Sequence, residues 1–209
     1  MNKVVKWVLI ASGVAVVGVA GFYGVMMVAV AAAFGAFDPT YTQADLIENY
    51  EARATQLRAL NAYINTITPA DKSVNIEFDG QRTLAIFHVR ATGYNSSNWD
   101  VKWDSPKADS LLQQLGWTRQ TLTTLYDKLD EADCISIASG EPSNIGYKRS
   151  GMGKFSYNIF AQPMSDSLSR QYSSSCTYII YKPGVVLEYG GGAIGPQCFP
   201  GYQGKNRSF

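Results

Sequence analysis

The chain has 209 residues, with 18 Lys and Arg against 17 Asp and Glu, and a formal net charge of +1 at pH 7. Nucleic-acid-binding domains normally carry a basic surplus, so this balance argues against a DNA or RNA partner. The single histidine and the three cysteines, none of them in a CxxC pair, exclude the ligand spacing of a zinc site. We therefore expect no nucleic-acid partner, no metal and no cofactor.

An uncharged apolar run extends from Trp7 to Phe37 and contains no Asp, Glu, Lys, Arg, His, Asn or Gln. About 20 apolar residues in a helix cross the hydrocarbon core of a bilayer. The run therefore predicts an N-terminal transmembrane helix that contacts the membrane lipid bilayer through residues 7–37. A secretory signal peptide has a shorter apolar region, of about 7 to 15 residues. Cleavage near Ala33, which would give a secreted protein, is the alternative.

The charges that flank this run predict its orientation. Lys3 and Lys6 precede it, and the next basic residue is Arg53. Cytoplasmic flanks of membrane helices carry an excess of Lys and Arg. We therefore expect a single-pass membrane anchor over 1–37, with a cytoplasmic tip at 1–6 and the rest of the chain outside the cytoplasm.

A second helix is predicted after the Asp38-Pro39 step, because proline disfavours a helical residue before it. Thr42 is a suitable N-cap, and Asp45 follows three residues later. Apolar residues then recur at spacings of three and four: Leu46, Tyr50, Ala54, Leu57, Leu60, Ile64 and Ile67. We interpret 38–70 as a juxtamembrane amphipathic helix that packs on the following domain. A stalk or coiled coil is the alternative.

Two alternating runs around Asp79-Gly80 predict a β-hairpin. The residues expected on its apolar face are Val74, Ile76, Phe78, Ala85, Phe87 and Val89. Those expected on its opposite face are Glu77, Leu84, Ile86, His88 and Arg90. In the following loop, Trp99, Val101 and Trp103 alternate with polar residues and predict a short extra strand.

Two capped helices and a set of strands are predicted for the rest of the chain. Ser105-Pro106 begins the first helix and Gly116 ends it, while Thr118 caps the second. Strands are expected over 134–138, 144–149 and 154–161, and in the runs TYIIY and VVLEY, which flank a type II turn sequence. The polar stretch 165–175 is either a short helix or a loop. We expect one extracytoplasmic α+β domain over 71–209, with a mainly antiparallel sheet and about three helices after the anchor.

The cysteines predict one disulfide. Cys176 and Cys198 flank the last predicted hairpin and its glycine-rich exit, which makes them the expected pair. Cys134 lies in the apolar run CISIA and is expected to be a buried thiol. A disulfide persists in oxidising compartments, which agrees with a domain outside the cytoplasm.

His88 is the single histidine and therefore the natural candidate for general base catalysis. Such a base needs an orienting partner, and Asp100, Asp104 or Glu188 could supply the carboxylate. We favour a structural or surface histidine. A small cell-envelope hydrolase that uses His88 with a carboxylate is the alternative.

Four aromatic residues next to polar or glycine-rich segments are candidates for binding: Trp99, Trp103, Tyr189 and Tyr202. Aromatic rings with a polar tip are enriched at interfaces. The absence of any recognised catalytic motif favours a membrane-anchored extracytoplasmic domain that binds a protein, peptide or glycan without catalysis.

A structural subunit is the second alternative. The order of an apolar helix, a second helix, antiparallel strands and a late cysteine pair resembles the layout of pilin-like proteins. The sequence departs from that family because its apolar helix lacks an early glutamate and because Asp38-Pro39 interrupts it.

Overall fold

The computed structural model describes residues 2–33, 37, 39, 41–151, 153–191, 195–200 and 202. The chain divides into two compact units, Met1–Pro39 and Thr40–Phe209. The predictions for the other residues, including residues 192–194 of the glycine-rich exit after the last hairpin, lie outside the described part of the chain.

The N-terminal unit consists of helix α1, Lys3–Ala33, which is 31 residues long. The structure describes the α1 side chains of Trp7 and of residues 17–32. The large apolar side chains among them, such as Phe22 and Met27, are exposed. Counted over the residues that the structure describes, no helix combines the length and the apolarity needed to cross a membrane.

The second unit has an α+β fold with a mainly antiparallel sheet, as the sequence predicts. Its described helices are α2 Gln43–Ile67, α3 Pro106–Leu115, α4 Arg119–Glu131 and α5 Asp166–Ser173. The described strands are β1 Lys72–Asp79, β2 Thr83–Ala91, β3 Tyr94–Ser96, β4 Trp99–Lys102, β5 Ser136–Ala138, β6 Ser143–Ser150, β7 Gly153–Ile159, β8 Tyr178–Lys182 and β9 Val185–Gly190. Helix α5 resolves the ambiguity of the polar stretch 165–175 and brings the described helices of this unit to four.

The strands form one sheet in the order β3-β2-β1-β5-β6-β7-β9-β8, and β4 also pairs with β2. Each described strand pair is antiparallel. The predicted hairpins are present between β1 and β2, β6 and β7, and β8 and β9. In the last of these turns Gly184 has a φ of 78°, which is the conformation that a type II turn requires at its third position.

The hydrophobic core lies between helices and one face of the sheet. Leu46, Leu57 and Ile64 of α2 are fully buried in the same cluster as Ile76 and Phe87 of the hairpin. The amphipathic helix is therefore packed on the domain along its apolar stripe. Its start has the predicted cap, since the Thr42 side chain and the Asp45 carboxylate each accept a hydrogen bond from the other residue's backbone N–H.

One prediction about the first hairpin is wrong. Leu84 was expected on the polar face but is 0 % exposed in the core. A β-bulge between Glu77 and Phe78 shifts the register by one residue, so that Phe78 pairs with Leu84 while Glu77 pairs with Ile86. A bulge turns the following side chains to the other face of the strand pair. Leu84 consequently replaces Ala85 on the apolar face.

The predicted disulfide between Cys176 and Cys198 is present, and Cys134 is a buried free thiol. The disulfide joins the residues before β8 to the segment after β9. Beside it, the Phe199 N–H donates to the Cys176 carbonyl at 3.0 Å, and the Phe199 ring is buried. The C-terminal segment is thereby attached to the sheet by a covalent bond, a backbone hydrogen bond and an apolar contact.

Candidate functional site on the outer face of the sheet

The face of the sheet opposite the core, here called the outer face, carries polar side chains in two rows. Strand register places the first row in the order Ile86, Glu77, Ser136, Gly146, Ser156, Glu188 and Tyr178. The second row is His88, Asn75, Ala138, Asn144, Asn158, Val186 and Ile180. Two carboxylates, Glu77 and Glu188, therefore lie in one row, four strand steps or roughly 19 Å apart at about 4.8 Å a step.

The first carboxylate belongs to an ion-pair network that we call the Glu77 cluster: Glu77, Ser136, Arg149 and Lys154. Glu77 is 2 % exposed and forms ion pairs with the Arg149 guanidinium and, at 3.2 Å, with Lys154 Nζ. Lys154 Nζ also donates to Ser136 Oγ at 2.9 Å. Both oxygens of this buried carboxylate are thus bound by cationic donors, as burial of a charge requires.

Gly146 makes this arrangement possible. A Cβ at this position would lie 2.1 Å from Ser136 Oγ and 2.9 Å from Lys154 Cδ. Both distances are shorter than a van der Waals contact. The missing side chain lets Lys154 lie flat across the sheet and reach Ser136 and Glu77.

A serine and a lysine 2.9 Å apart also occur where lysine activates a serine nucleophile. Here Lys154 is paired as an ammonium with Glu77 and has no lone pair with which to accept a proton from the serine. Ser136 is 1 % exposed, so a substrate cannot reach its oxygen. The chemistry of the Glu77 cluster is that of a structural network.

The second carboxylate has neutral partners. We call the group Glu188, Asn144, Asn158, Tyr172 and Tyr178 the Glu188 cluster. Glu188 Oε2 accepts hydrogen bonds from Asn144 Nδ2 at 3.0 Å and from Asn158 Nδ2 at 2.8 Å. Among the described residues, no Lys, Arg or His forms an ion pair with Glu188. The half-buried negative charge is therefore not neutralised within the described part of the chain.

Two tyrosines border this carboxylate. Tyr178 lies opposite Glu188 in the register of β8 and β9, and α5 places Tyr172 against Tyr178 with ring centroids 4.8 Å apart. Burial, followed by the negative charge of Glu188, raises the pKa of Tyr178. Burial, followed by the influence of Tyr178 and Glu188, raises the pKa of Tyr172. Both phenols consequently stay neutral at physiological pH.

The predicted catalytic candidate His88 lies near the other edge of the outer face. Its ring contacts Trp99 edge-on at a centroid distance of 5.0 Å, and its buried Nε2 has no hydrogen-bond partner among the described residues. Burial, followed by the positive charge of Arg90, lowers the pKa of His88. The imidazole is therefore neutral at pH 7.

None of the three predicted carboxylate partners forms a described hydrogen bond or ion pair with His88. Asp100 and Asp104 form no described hydrogen bond with the imidazole, and Glu188 lies five strand steps away, roughly 24 Å at about 4.8 Å a step. Within the described residues, the structure does not assemble the histidine–carboxylate pair that a hydrolase of this type would need.

The four predicted binding aromatics occupy different environments. Trp103 packs against Phe78 at a centroid distance of 5.5 Å, and Tyr189 stacks on Phe155 at 4.3 Å. Tyr202 is partly buried against the core. Trp99 is the exposed member of the set, with 62 % of its surface accessible. The structure does not bring the four side chains together on one surface.

A cavity of about 150 Å³ lies on the core side of the sheet, and Cys134, Phe78, Tyr126, Asp133 and Lys148 are among its lining residues. Asp133 and Lys148 form an ion pair at 2.6 Å. Burial raises the pKa of the Cys134 thiol, so the thiolate that would react as a nucleophile does not form at neutral pH. The thiol in the described lining of this cavity is therefore not an activated nucleophile.

The sequence alone does not predict the Glu188 cluster. Asn144, Asn158 and Glu188 are outward positions of predicted strands, and that alternation was the available signal. Which strands are neighbours, and where α5 places Tyr172, follow only from the tertiary fold. No family model, no curated protein and no solved structure matches the chain, so its site must be interpreted from its own chemistry.

Proposed function

We propose that the chain is a membrane-anchored extracytoplasmic binding module that captures a protein, peptide or glycan partner without catalysis. The contact surface is the Trp99 patch, which consists of Trp99, His88 and Arg90. The observation that carries this proposal is the 62 % exposure of Trp99, a large aromatic side chain held in place by the His88 ring. Exposed Trp and Arg are over-represented among the residues that dominate binding energy at interfaces.

The membrane anchor is supported by the composition of residues 7–37, which is uncharged over more than the length that a span requires. Lys3 and Lys6 on its N-terminal side favour a cytoplasmic N-terminus. The Cys176–Cys198 disulfide supports an oxidising compartment for the domain. The anchor restricts the binding surface to partners at or near the membrane.

The alternative hydrolase is less well supported. Among the described residues, the neutral His88 imidazole has no orienting carboxylate, which is the partner that keeps a general base in its reactive tautomer. The exposed tryptophan over His88 is, in contrast, the arrangement expected of a contact surface.

The first test places a photo-crosslinking amino acid at position 99 of the full chain in its native membrane. A matched control carries it at Tyr94, which is also an exposed aromatic residue at this edge of the sheet. We expect an adduct from position 99 and not from position 94, and mass spectrometry identifies it as protein, peptide or glycan. Trp99→Ala should then reduce capture at least tenfold while the far-UV circular dichroism is unchanged. Equal adducts at both positions, or none at position 99, would overturn the Trp99 patch.

The anchor has a separate test, the intact mass of the unreduced chain extracted from its membrane. The mass of the full chain less about two daltons corresponds to a retained anchor and one disulfide, as an oxidising compartment allows. A mass that lacks the first thirty or so residues would mean a cleaved signal peptide. The anchored function would then be wrong, whatever the Trp99 patch binds.

A further inference from the structure

We infer that the Glu188 cluster is a binding site for a primary alkylammonium group, such as the amino group of an amine, an amino sugar or a lysine side chain. This site is independent of the Trp99 patch, from which Glu188 lies five strand steps away across the sheet. The inference begins with charge. Glu77 and Glu188 lie in the same row, but the chain supplies two cations to Glu77 and, among its described residues, none to Glu188.

The cluster offers hydrogen-bond acceptors without described donors. Glu188 Oε2 is occupied by the two amides, and Glu188 Oε1 has no described donor. Asn144 uses its Nδ2 for Glu188 and for Asn158 Oδ1, at 3.1 Å, which leaves its own Oδ1 without a described donor. An alkylammonium has three N–H donors and no acceptor, and therefore complements these two oxygens.

The two tyrosines add an attraction that is specific for cations. The faces of aromatic rings carry negative electrostatic potential, so a cation within about 6 Å of a ring centre is stabilised. The ring of Tyr172, on α5, and the ring of Tyr178, on β8, are at 86° to each other. Because both phenols are neutral, each keeps a hydroxyl that can hydrogen-bond to the ligand.

The side chains of the Glu188 cluster are poorly suited to bind a metal ion. Calcium takes six to eight oxygen ligands and commonly several carboxylates. Among the described residues, no group of three or more His, Cys, Asp or Glu side chains could hold a metal ion. One carboxylate, one amide oxygen without a described donor and two aromatic rings are better matched to an organic cation.

The test titrates n-butylammonium chloride into the oxidised full chain in detergent micelles at constant ionic strength, with binding followed by NMR. We expect saturable binding that Glu188→Gln weakens at least tenfold, because the amide keeps the size of the side chain and removes its charge. Glu48→Gln is the matched control, since it removes an exposed carboxylate from α2. It should bind as the natural chain does.

Two further probes make the outcome specific. Tetramethylammonium has no N–H donor and should bind more weakly than n-butylammonium, and sodium chloride should not compete. Tyr172→Leu changes a surface helix and should weaken binding severalfold with an unchanged fold, which provides a second variant if Glu188→Gln fails to fold. Three results would overturn the inference. They are equal affinity of Glu188→Gln and the natural chain for n-butylammonium, no saturable binding of n-butylammonium, and tighter binding of tetramethylammonium than of n-butylammonium.

Discussion

The two carboxylates of the outer face differ in one respect that separates a structural role from a recognition role. Glu77 is buried and bound by Arg149 and Lys154, whereas the half-buried Glu188 is held by two asparagine amides. A fully buried charge needs cationic partners, because its desolvation is otherwise too costly. A half-buried carboxylate can keep its charge with neutral donors and part of its hydration. The charge of Glu188 thus remains available to a ligand.

The residues next to the two carboxylates also differ, since they are small beside Glu77 and aromatic beside Glu188. Small residues beside Glu77, namely Ser136 and Gly146, leave room for the long Lys154 side chain to cover the sheet. Beside Glu188, the aromatic rings of Tyr172 and Tyr178 pack edge to face against each other. Two cations of the chain bind the carboxylate at the Glu77 end of the row, whereas aromatic rings and amide groups surround the carboxylate at the Glu188 end.

The largest expected difference is in stability. Glu77→Gln leaves the half-buried cations without a counter-charge and should lower the free energy of unfolding by about 3 kcal/mol. Glu188→Gln keeps a carbonyl oxygen for the two amides and should change it by about 1 kcal/mol or less. Urea unfolding of the full chain in micelles, followed by circular dichroism, measures both.

A double variant provides the control. Glu77→Leu combined with Lys154→Met replaces one buried ion pair by apolar groups and leaves only the partly exposed Arg149 guanidinium without its partner, so it should recover part of the stability that Glu77→Gln loses. Equal losses for Glu77→Gln and Glu188→Gln would contradict the distinction between a structural carboxylate and a recognition carboxylate.

An intermediate effect is expected at Gly146. Its Cβ would collide with Ser136 Oγ and Lys154 Cδ, so Gly146→Ala should destabilise the domain by about 2 kcal/mol, in the range of overpacked sites. Ser136→Ala removes the nearer of the two atoms. Ser136→Ala should lower the free energy of unfolding less in the Gly146→Ala variant than in the natural chain. A double-mutant cycle measures this coupling. Additive losses would show that the contact is relieved by Lys154 and not by Ser136.

The smallest effect concerns His88, whose pKa burial lowers below its ordinary value of 6.5. As the pH falls below about 6.5, the unfolded chain gains a proton at His88 that the folded chain does not, so the free energy of unfolding decreases. Well above pH 6.5 the imidazole is neutral in both states and contributes no pH dependence. Trp99→Ala exposes the ring and should raise the pKa of His88 towards 6.5, as an NMR titration would show. An unchanged titration midpoint would mean that Trp99 does not bury the imidazole. Between pH 7.5 and 5.5, the part of the loss of stability that comes from the imidazole should be absent in His88→Gln.

Local signals in the sequence predicted most of the fold. The Asp79-Gly80 hairpin, the Thr42 cap and the Cys176–Cys198 disulfide each depend on residues whose pattern or spacing is visible in one stretch of chain. The misplaced Leu84 has a different origin. A bulge adds one residue to a strand, and strict alternation cannot show where that residue is inserted.

The candidate site was predicted only in part. Trp99 and His88 lie on neighbouring strands and were both selected as single residues. The Glu188 cluster depends on the pairing of β6, β7 and β9 and on the position of α5, none of which has a local signature. Trp103 and Tyr189 contact Phe78 and Phe155, since aromatic residues beside polar segments can equally complete a core, and their part in binding stays a prediction.

Strand β5 has a consequence for how quickly the domain can form. Its three residues, Ser136 to Ala138, pair with β1 on one side and with β6 on the other. Strand β5 therefore joins the strands β1 to β4 to the strands β6 to β9. Within each of these two groups, paired strands are closer together along the chain than β1 and β5 are. Glu77 and Ser136 are about 60 residues apart, and closing such a separation slows folding. Ile137→Val should therefore slow refolding, whereas Ile159→Val in the β6–β7 hairpin should mainly speed unfolding, in stopped-flow measurements. The Glu77 cluster spans this junction, so its ion pairs also hold together the described strand pairing with the largest separation along the chain.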